Sequence, residues 1–319
     1  MGKGRKRTVP FSGLSGYVQQ AFNAENVSGE QPNVSEPPSK RQKLNVAASS
    51  WIAKYDASGS VPHYTSISDV PEHLRKYFAQ RTRYFSEFES APGCLLDEEG
   101  WYSVTPELIA NQIAERCRCD TILDAFCGVG GNAIAFAQTC QRVIAMDTSP
   151  TRLALARHNA QIYGVAHHIE FILGDYISFA KAYNTLPSTA SRKIDVVFLS
   201  PPWGGPSYLS GPPSPTKLSS PTKVDDPDPD AFPLAQAYPL SAIQPIDGAD
   251  LFHLTRKITP NVAYYLPRNT NLEEVGALLT DEADEVKEHV EVEEEWMGNK
   301  LKAITCYFGG LVDGQGDMF

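Results

Sequence analysis

Two short segments of the 319-residue chain combine residue types that could do chemistry. The first is Ser200-Pro201-Pro202-Trp203, which follows an apolar run and precedes two glycines, so a large aromatic residue lies on a rigid turn. A serine hydroxyl and a proline carbonyl can accept hydrogen bonds, and an indole face attracts cations and stacks on planar rings. We therefore expect Ser200, Pro201 and Trp203 to hold a planar amine beside a reactive group.

The second segment is a glycine loop in residues 123–137, which read LDAFCGVGGNAIAFA. The pattern is that of a strand, a tight loop and a helix, and glycine lets the backbone approach a ligand at the start of the helix. We expect Gly128, Gly130 and Asn132 to bind a nucleotide-like cofactor. The loop departs from G-x-G-x-x-G because Ala133 takes the place of the third glycine.

Three aspartates, Asp124, Asp147 and Asp175, lie at the ends of three successive predicted strands. Asp147 follows Gly128 at the spacing typical of a carboxylate that binds both ribose hydroxyls. Asp124, directly before the loop, would repel a pyrophosphate but suits the cationic methionine end of S-adenosylmethionine. Asp175 is placed to bind an adenine amino group. The sequence thus favours S-adenosylmethionine over a dinucleotide.

Strands and helices alternate through the segment that carries these residues. The predicted strands are residues 121–126, 142–147, 169–175, 193–203 and 261–268. This alternation predicts a mostly parallel sheet with helices on both faces, the Rossmann-like α/β fold of class I S-adenosylmethionine-dependent methyltransferases. The C-terminal residues 286–311 predict an antiparallel hairpin that closes the sheet. Trp203 then follows the fourth strand, at the edge where such sheets bind ligands.

The chain divides by composition into three parts. Residues 1–65 are polar and predict a disordered tail. Residues 66–118 predict a small N-terminal helical lobe, with helices over 71–88 and 105–117, the second capped by Thr105. Residues 119–319 form the methyltransferase domain, interrupted at about 209–232 by a flexible Pro/Ser-rich insertion.

Charge and cysteine content limit the classes of function. The net charge is −10, which argues against a protein that coats nucleic acid electrostatically. The basic clusters 3–7 and 40–43 are typical of a nuclear import signal, an RNA-contacting arm or an ordinary solvated tail, and we expect a nuclear protein. The six cysteines include no C-x-x-C pair, so we expect reduced thiols and no metal. No apolar run predicts a membrane span.

Several motifs together resemble the trimethylguanosine synthase family. They are KYFAQRTRYFSEF, LDEEGWYSVTPE, DAFCGVGGNAIAFA, SPPWGGPSY, YYLPRN and NKLKAITCYFG, which run in order from about Lys76 to Leu311. The resemblance implies that the N2 amine of a 7-methylguanosine cap on small nuclear or nucleolar RNA is methylated twice, each time with one S-adenosylmethionine. The cationic base explains the tryptophan. Phe78 departs from the family, which often has tryptophan there.

The resemblance also implies roles for individual residues. Lys76 and Arg268 would contact the cap phosphates, with Tyr208 and Asn269 beside them. Ser103 and Thr105 would close over the methionine end of the cofactor. It further suggests small ribonucleoprotein proteins as partners and a nuclear or nucleolar location, and we expect a monomer without membrane association.

Two other functions are compatible with these residues. One is a base-amine methyltransferase that modifies N2 of guanine or N6 of adenine in ribosomal or transfer RNA. The other is a cap-binding factor without catalytic activity, against which the intact glycine loop and the three carboxylates argue. Trp203 together with Arg268 favours the cap enzyme, which should require 7-methylation of its substrate.

Overall fold

The apolar segments of the chain assemble into one mixed sheet in the computed structural model, which describes residues 54–187, 193–204, 237–279 and 288–312. These residues all belong to one unit, Ala48–Phe319. The two basic clusters, Tyr208 and the predicted insertion lie outside the described residues.

Seven strands build this sheet. They are β1 Thr121–Asp124, β2 Arg142–Asp147, β3 Ile169–Leu173, β4 Val196–Leu199, β5 Val262–Pro267, β6 Glu291–Met297 and β7 Lys300–Phe308. Their order across the sheet is β3-β2-β1-β4-β5-β7-β6. Strands β1 to β5 pair in parallel, whereas β7 is antiparallel to both β5 and β6. The predicted mostly parallel sheet and its closing hairpin are therefore confirmed.

Nine α-helices accompany the strands within the described residues. They are α1 Arg75–Phe78, α2 Arg81–Tyr84, α3 Gly100–Ser103, α4 Glu107–Arg116, α5 Gly131–Thr139, α6 Pro150–Ile162, α7 Tyr176–Tyr183, α8 Gly248–Arg256 and α9 Leu272–Ala277. Helices α3, α8 and α9 have no counterpart among the predicted elements. No helix in the described ranges is long and apolar enough to cross a lipid bilayer.

The strand residues alternate between two hydrophobic clusters, one on each face of the sheet. In β5, for example, Ala263 and Tyr265 face one cluster, and Tyr264 and Leu266 face the other. The first cluster includes α4, α5, α6 and the segment before them, and the second includes α7, α8 and α9. Both faces of the sheet are covered, as expected for parallel strands.

The N-terminal segment differs from its prediction. Instead of one helix over 71–88, the chain forms the short helices α1 and α2, because Gln80 between them leaves the helical conformation. The adjacent Tyr84 and Phe85 are both buried, which a single straight helix with one buried face does not favour. Phe78 packs in the same aromatic group, 6.0 Å from Trp101 between ring centroids. The predicted boundaries of tail, lobe and methyltransferase domain stay predictions.

The start of α4 also differs. Thr105 was expected to cap this helix, but the helix begins at Glu107, and the preceding Pro106 makes no side-chain capping bond. The Thr105 hydroxyl instead accepts a hydrogen bond from Asn132 Nδ2 at 2.9 Å. A residue of the N-terminal segment is thus bonded to the first turn of α5.

The hairpin buries an acidic side chain, Glu295, which is 1% exposed. Thr305 Oγ1 donates a hydrogen bond to Glu295 Oε1 at 2.5 Å. Burial raises the pKa of Glu295 to about 7; the hydrogen bond from Thr305 and the charge of Arg116 oppose this rise, and Glu293 adds to it. The ionised form is therefore disfavoured in the folded protein.

We expect Glu295→Gln to stabilise the protein above pH 7. The unfolded carboxyl titrates near 4.5 and the folded one near 7, so the wild type loses stability as pH rises between these values. At pH 8 the variant should gain on the order of 1–3 kcal/mol in the free energy of unfolding, and at pH 4 nothing. Urea unfolding at both pH values measures this. The exposed neighbour provides the control, Glu294→Gln, and equal stability of both variants at pH 8 would contradict the expectation.

Candidate active site

The carboxyl edge of the parallel strands brings the two predicted chemical segments together. Beyond the end of β1, the Ala125 amide donates to the Phe198 carbonyl of β4 at 3.1 Å. The Cys127 amide donates to the Met146 carbonyl of β2 at 2.8 Å. The glycine loop is thus bonded on one side to the strand that ends at Asp147 and on the other to the strand that leads to Ser200.

The glycine loop has the backbone that its sequence predicts. Gly128 and Gly130 have φ values of 52° and 92°, a region that side chains other than glycine rarely adopt. A Cβ atom at Gly130 would also lie 3.1 Å from the Cα atom of Ala156 in α6. Glycine at this position therefore allows both the turn and the close approach of α6.

The buried Asn159 of α6 holds this loop from behind. Its Nδ2 donates to the carbonyls of Val129 and Leu95, at 2.9 Å each, and its Oδ1 accepts from the Leu95 amide at 2.8 Å. One side chain thus joins the glycine loop to the segment that precedes α3. Sequence reasoning missed Asn159 because nothing in its helical context distinguishes it from a surface asparagine.

Asp124 provides the strongest electrostatic feature of the site. It is fully buried, and neither carboxylate oxygen has a hydrogen-bond partner among the described residues. Burial raises the pKa of Asp124 to about 7; the nearby Phe126 amide opposes the rise, outside hydrogen-bond geometry, and Asp147 adds to it. A buried carboxylate without a partner is costly unless a cation or a donor completes it.

A second buried acceptor lacks a hydrogen-bond donor among the described residues, at the start of α5. Asn132 is 8% exposed, and while its Nδ2 is bonded to Thr105, its Oδ1 has no partner in the described part of the chain. The buried oxygens of Asp124 and Asn132 thus flank the glycine loop and both need donors. The residues present fit the cationic methionine end of S-adenosylmethionine, and the cofactor-binding roles of Asp124 and Asn132 stay predictions. Ser103 lies two residues before Thr105, exposed at the end of α3.

The other two predicted cofactor carboxylates already have partners. Asp147 accepts hydrogen bonds from the amides of Gly128 at 3.0 Å and Ser149 at 2.8 Å. A carboxylate offers about four acceptor positions, so two stay available for ribose hydroxyls. Asp175 is exposed and caps α7 by accepting from the Ser178 amide at 2.8 Å. Its role toward adenine stays a prediction, because capping alone explains this carboxylate.

The Ser-Pro-Pro-Trp turn leaves β4 directly beside the loop. Ser200 Oγ donates to the Phe126 carbonyl at 3.4 Å, so its lone pairs are available to accept from a ligand. Pro201 is buried and Pro202 is exposed. The Pro202 carbonyl accepts from the Gln244 amide at 3.2 Å, which fixes the turn from outside the sheet.

Trp203 is half-buried and borders both hydrophobic clusters. Its ring centroid lies 5.4 Å from that of Tyr265, with an angle of 45° between the planes. Tyr238 donates its hydroxyl to the Trp203 carbonyl at 3.1 Å. The indole is thus supported by Tyr265, and its backbone by Tyr238. Sequence reasoning noted the YYLPRN motif but assigned no role to its Tyr265, and it did not single out Tyr238.

The predicted phosphate-binding residues are distributed over two regions. Arg268 and Asn269 follow β5 at the same edge as Trp203, and the Arg268 guanidinium donates to the Leu301 carbonyl at 3.3 Å. Lys76 is exposed on α1, with its ammonium 5.2 Å from the Tyr77 ring centroid. Lys76 lies in α1 and Arg268 directly after β5, and their joint role toward the phosphates stays a prediction. Tyr208 lies outside the described residues.

This strand order, with a glycine loop after β1 and acidic residues at successive strand ends, defines a class I S-adenosylmethionine-dependent methyltransferase. The sequence profile of the RNA cap guanine-N2 methyltransferase family matches residues 119–212 and 232–311. The match covers more than half of the chain, and the chain belongs to this family. Its substrate is accordingly RNA, and the predicted resemblance is confirmed.

Two yeast proteins are similar over long stretches. The trimethylguanosine synthase of Schizosaccharomyces pombe is 36% identical over 250 residues, which cover 75% of this chain and 87% of that protein. The trimethylguanosine synthase of Saccharomyces cerevisiae is 34% identical over 208 residues, covering 64% of this chain and 57% of that protein. This chain thus matches most of the first relative and somewhat more than half of the second.

A solved structure supports the fold independently. It is a putative methyltransferase from Porphyromonas gingivalis W83, with a TM-score of 0.51 over 84% of this chain and 58% of that chain. At 12% sequence identity this likeness shows the fold alone.

We expect the affinity for S-adenosylmethionine to fall below pH 7. The cationic end of the cofactor favours ionised Asp124, whose pKa in the free protein is about 7. Below this pH the carboxyl must therefore release its proton when the cofactor binds. The affinity should decrease by up to about tenfold per pH unit below that value. Titration calorimetry at pH 6 and pH 8 measures the change.

Two variants separate Asp124 from other titrating groups. Asp124→Asn should bind weakly at both pH values and show only the pH dependence of the ligand's own amine. Asp175→Asn should keep the wild-type pH dependence, because the hydrogen bonds from Ser178 lower the pKa of Asp175. An Asp124→Asn variant with the full wild-type slope would contradict the assignment.

Proposed function

We propose that this protein methylates the exocyclic N2 amine of a 7-methylguanosine RNA cap twice, giving the 2,2,7-trimethylguanosine cap. The family supplies the reaction class, a methyl transfer to guanine N2 of an RNA cap. The names of the two yeast relatives support the double methylation. Bound S-adenosylmethionine would supply an electrophilic methyl group on its sulfonium.

The observation that carries the proposal is the position of Trp203. It lies on a rigid turn that begins at the end of β4, next to the strand that carries Asp124 and the glycine loop. Methylation at N7 makes guanine cationic, and a cation over an indole face gains up to about 2 kcal/mol when desolvated. A base stacked there would present its edge toward the loop.

The remaining residues of the turn would orient the amine. The Ser200 hydroxyl oxygen and the Pro201 carbonyl can accept the amine hydrogens and hold its nitrogen toward the cofactor. Because methyl transfer needs no covalent enzyme intermediate, such alignment accounts for most of the rate enhancement, on the order of 7–11 kcal/mol in favourable systems. Pro201 and Pro202 make the turn stiff, which suits this task.

The phosphate chain of the cap would extend away from the base. We assign Arg268 and Lys76 to the phosphates, with Asn269 and Tyr208 beside them. We further propose small nuclear and nucleolar RNAs as the capped substrates, which would place the enzyme in the nucleus. The basic clusters 3–7 and 40–43 support this location, since such clusters are typical of import signals.

The experiment that tests the function compares two dinucleotides. Labelled S-adenosylmethionine is incubated with m7GpppA or with GpppA, and the products are resolved as mono- and dimethylated caps. We expect two methyl transfers to m7GpppA and at most trace labelling of GpppA. Equal labelling of both would reject the 7-methyl requirement and favour another base-amine methyltransferase. No labelling of either, with cofactor still bound, would favour a cap-binding factor without catalysis.

We expect Trp203→Ala to lower kcat/KM for m7GpppA by at least about 10-fold, because stacking contributes roughly 1–3 kcal/mol per base. Affinity for S-adenosylmethionine should stay within about twofold, since the glycine loop is unchanged. The control is Trp296→Ala, which removes an indole that is 50% exposed on β6. Wild-type turnover by Trp203→Ala would disprove the stacking role.

A further inference from the structure

Tyr238 joins the two parts of the site that would bind the base and the phosphates. Its backbone pairs with the loop after β5: its amide donates to the Asn269 carbonyl at 2.7 Å, and its carbonyl accepts from the Asn271 amide at 2.9 Å. This pairing forms an isolated parallel bridge to Thr270. The backbone of Tyr238 is thus fixed directly beside Arg268 and Asn269.

The side chain of Tyr238 reaches in the other direction. Its hydroxyl donates to the carbonyl of Trp203, 35 residues earlier, at 3.1 Å. Tyr238 is 6% exposed, and burial raises the pKa of its phenol, so the hydroxyl stays protonated and donates throughout the neutral range. The ring also packs in the second hydrophobic cluster.

One residue is therefore bonded to both the turn that carries Trp203 and the loop that carries Arg268 and Asn269. These two segments leave neighbouring strands, β4 and β5, at the same edge of the sheet. Beyond the strand ends, the ladder no longer sets their separation. The hydrogen bonds of Tyr238 connect these two segments to each other.

We propose that Tyr238 is a positioning residue, which fixes the distance between the indole of Trp203 and the phosphate-binding loop so that the N2 amine lies in line with the cofactor methyl. The inference rests on the proposed function. A cap is held at two points, the base and the phosphates, so the spacing of these points determines where the amine lies. The second methylation is the more demanding step, because the amine then keeps a single hydrogen for orientation and carries a methyl group.

The proposal predicts which kinetic constant changes. Tyr265 still supports the indole when the Tyr238 hydroxyl is removed, so binding of the cap should be retained. Alignment should suffer, since displacements of about 1 Å can reduce rates by about 100-fold. A loss confined to kcat marks an interaction that acts on the transition state, whereas a change in KM alone marks uniform binding.

The test compares two tyrosine variants with m7GpppA as substrate. Tyr238→Phe removes the hydroxyl and keeps the ring in the core. Tyr264→Phe is the matched control, because the buried Tyr264 hydroxyl also donates to a backbone carbonyl, that of Gly248, at 3.2 Å. The side chain of Tyr264 lies on the opposite side of β5 from that of Tyr265. Thermal unfolding of both variants measures any general loss of stability.

For Tyr238→Phe we expect kcat to fall by roughly 10- to 100-fold, KM to stay within about twofold, and the fraction of singly methylated product to rise. Tyr264→Phe should keep wild-type kinetics and product ratio. Equal kinetics of the two variants, or a raised KM with unchanged kcat for Tyr238→Phe, would overturn the positioning role while leaving the proposed function intact. A wild-type protein that transfers no methyl to m7GpppA would reject the proposed function and this inference together.

Discussion

Strand β1 is hydrogen-bonded to a parallel neighbour on each side, to β2 through Ile122 and Val143 and to β4 through Leu123 and Val197. Parallel strands end at a common edge, so this pairing places Asp124, the end of β2 and the turn after β4 side by side. Hydrogen bonds from Ala125 and Cys127 continue the pairing beyond the ladder. The glycine loop and the Ser-Pro-Pro-Trp turn are thus kept in one arrangement, on which every other feature of the site depends.

The site attracts cations although its substrate is an anion. The buried carboxyl of Asp124 has no hydrogen-bond partner in the part of the chain that the structure describes, and the half-buried indole of Trp203 offers a face that favours positive charge. Both the methionine end of the cofactor and a 7-methylated guanine are cationic. The phosphates of a capped RNA would require separate local cations, such as Arg268, since the chain as a whole has a net charge of −10. In the proposed function, the strand ends would bind the two cationic groups, and residues around them would bind the anionic phosphates.

The N-terminal segment is bonded to the elements that surround the glycine loop. Asn159 bonds its Leu95 to the glycine loop, and Thr105 bonds to Asn132 at the start of α5. Arg152 of α6 pairs with Asp97 at 3.0 Å, which fixes the segment between these two contacts. The short helices before it bury their aromatic side chains in the same cluster as α4 and α5. Folding of this segment and the conformation of the glycine loop are accordingly coupled.

The sequence by itself determined the strands of the parallel sheet, the functional residues at their ends and the class of cofactor. Hydrophobic periodicity and glycine spacing are local properties, and Asp124, Asp147 and the Ser200–Trp203 turn each follow an apolar run directly. Tertiary structure decided the roles that depend on partners distant in the chain. It assigned Thr105 to Asn132 rather than to its own helix, divided residues 71–88 into two helices, and brought Tyr238 to Trp203. Hydrogen bonds and packing between remote segments leave no periodic signal in a sequence, because each partner is compatible with many other surroundings.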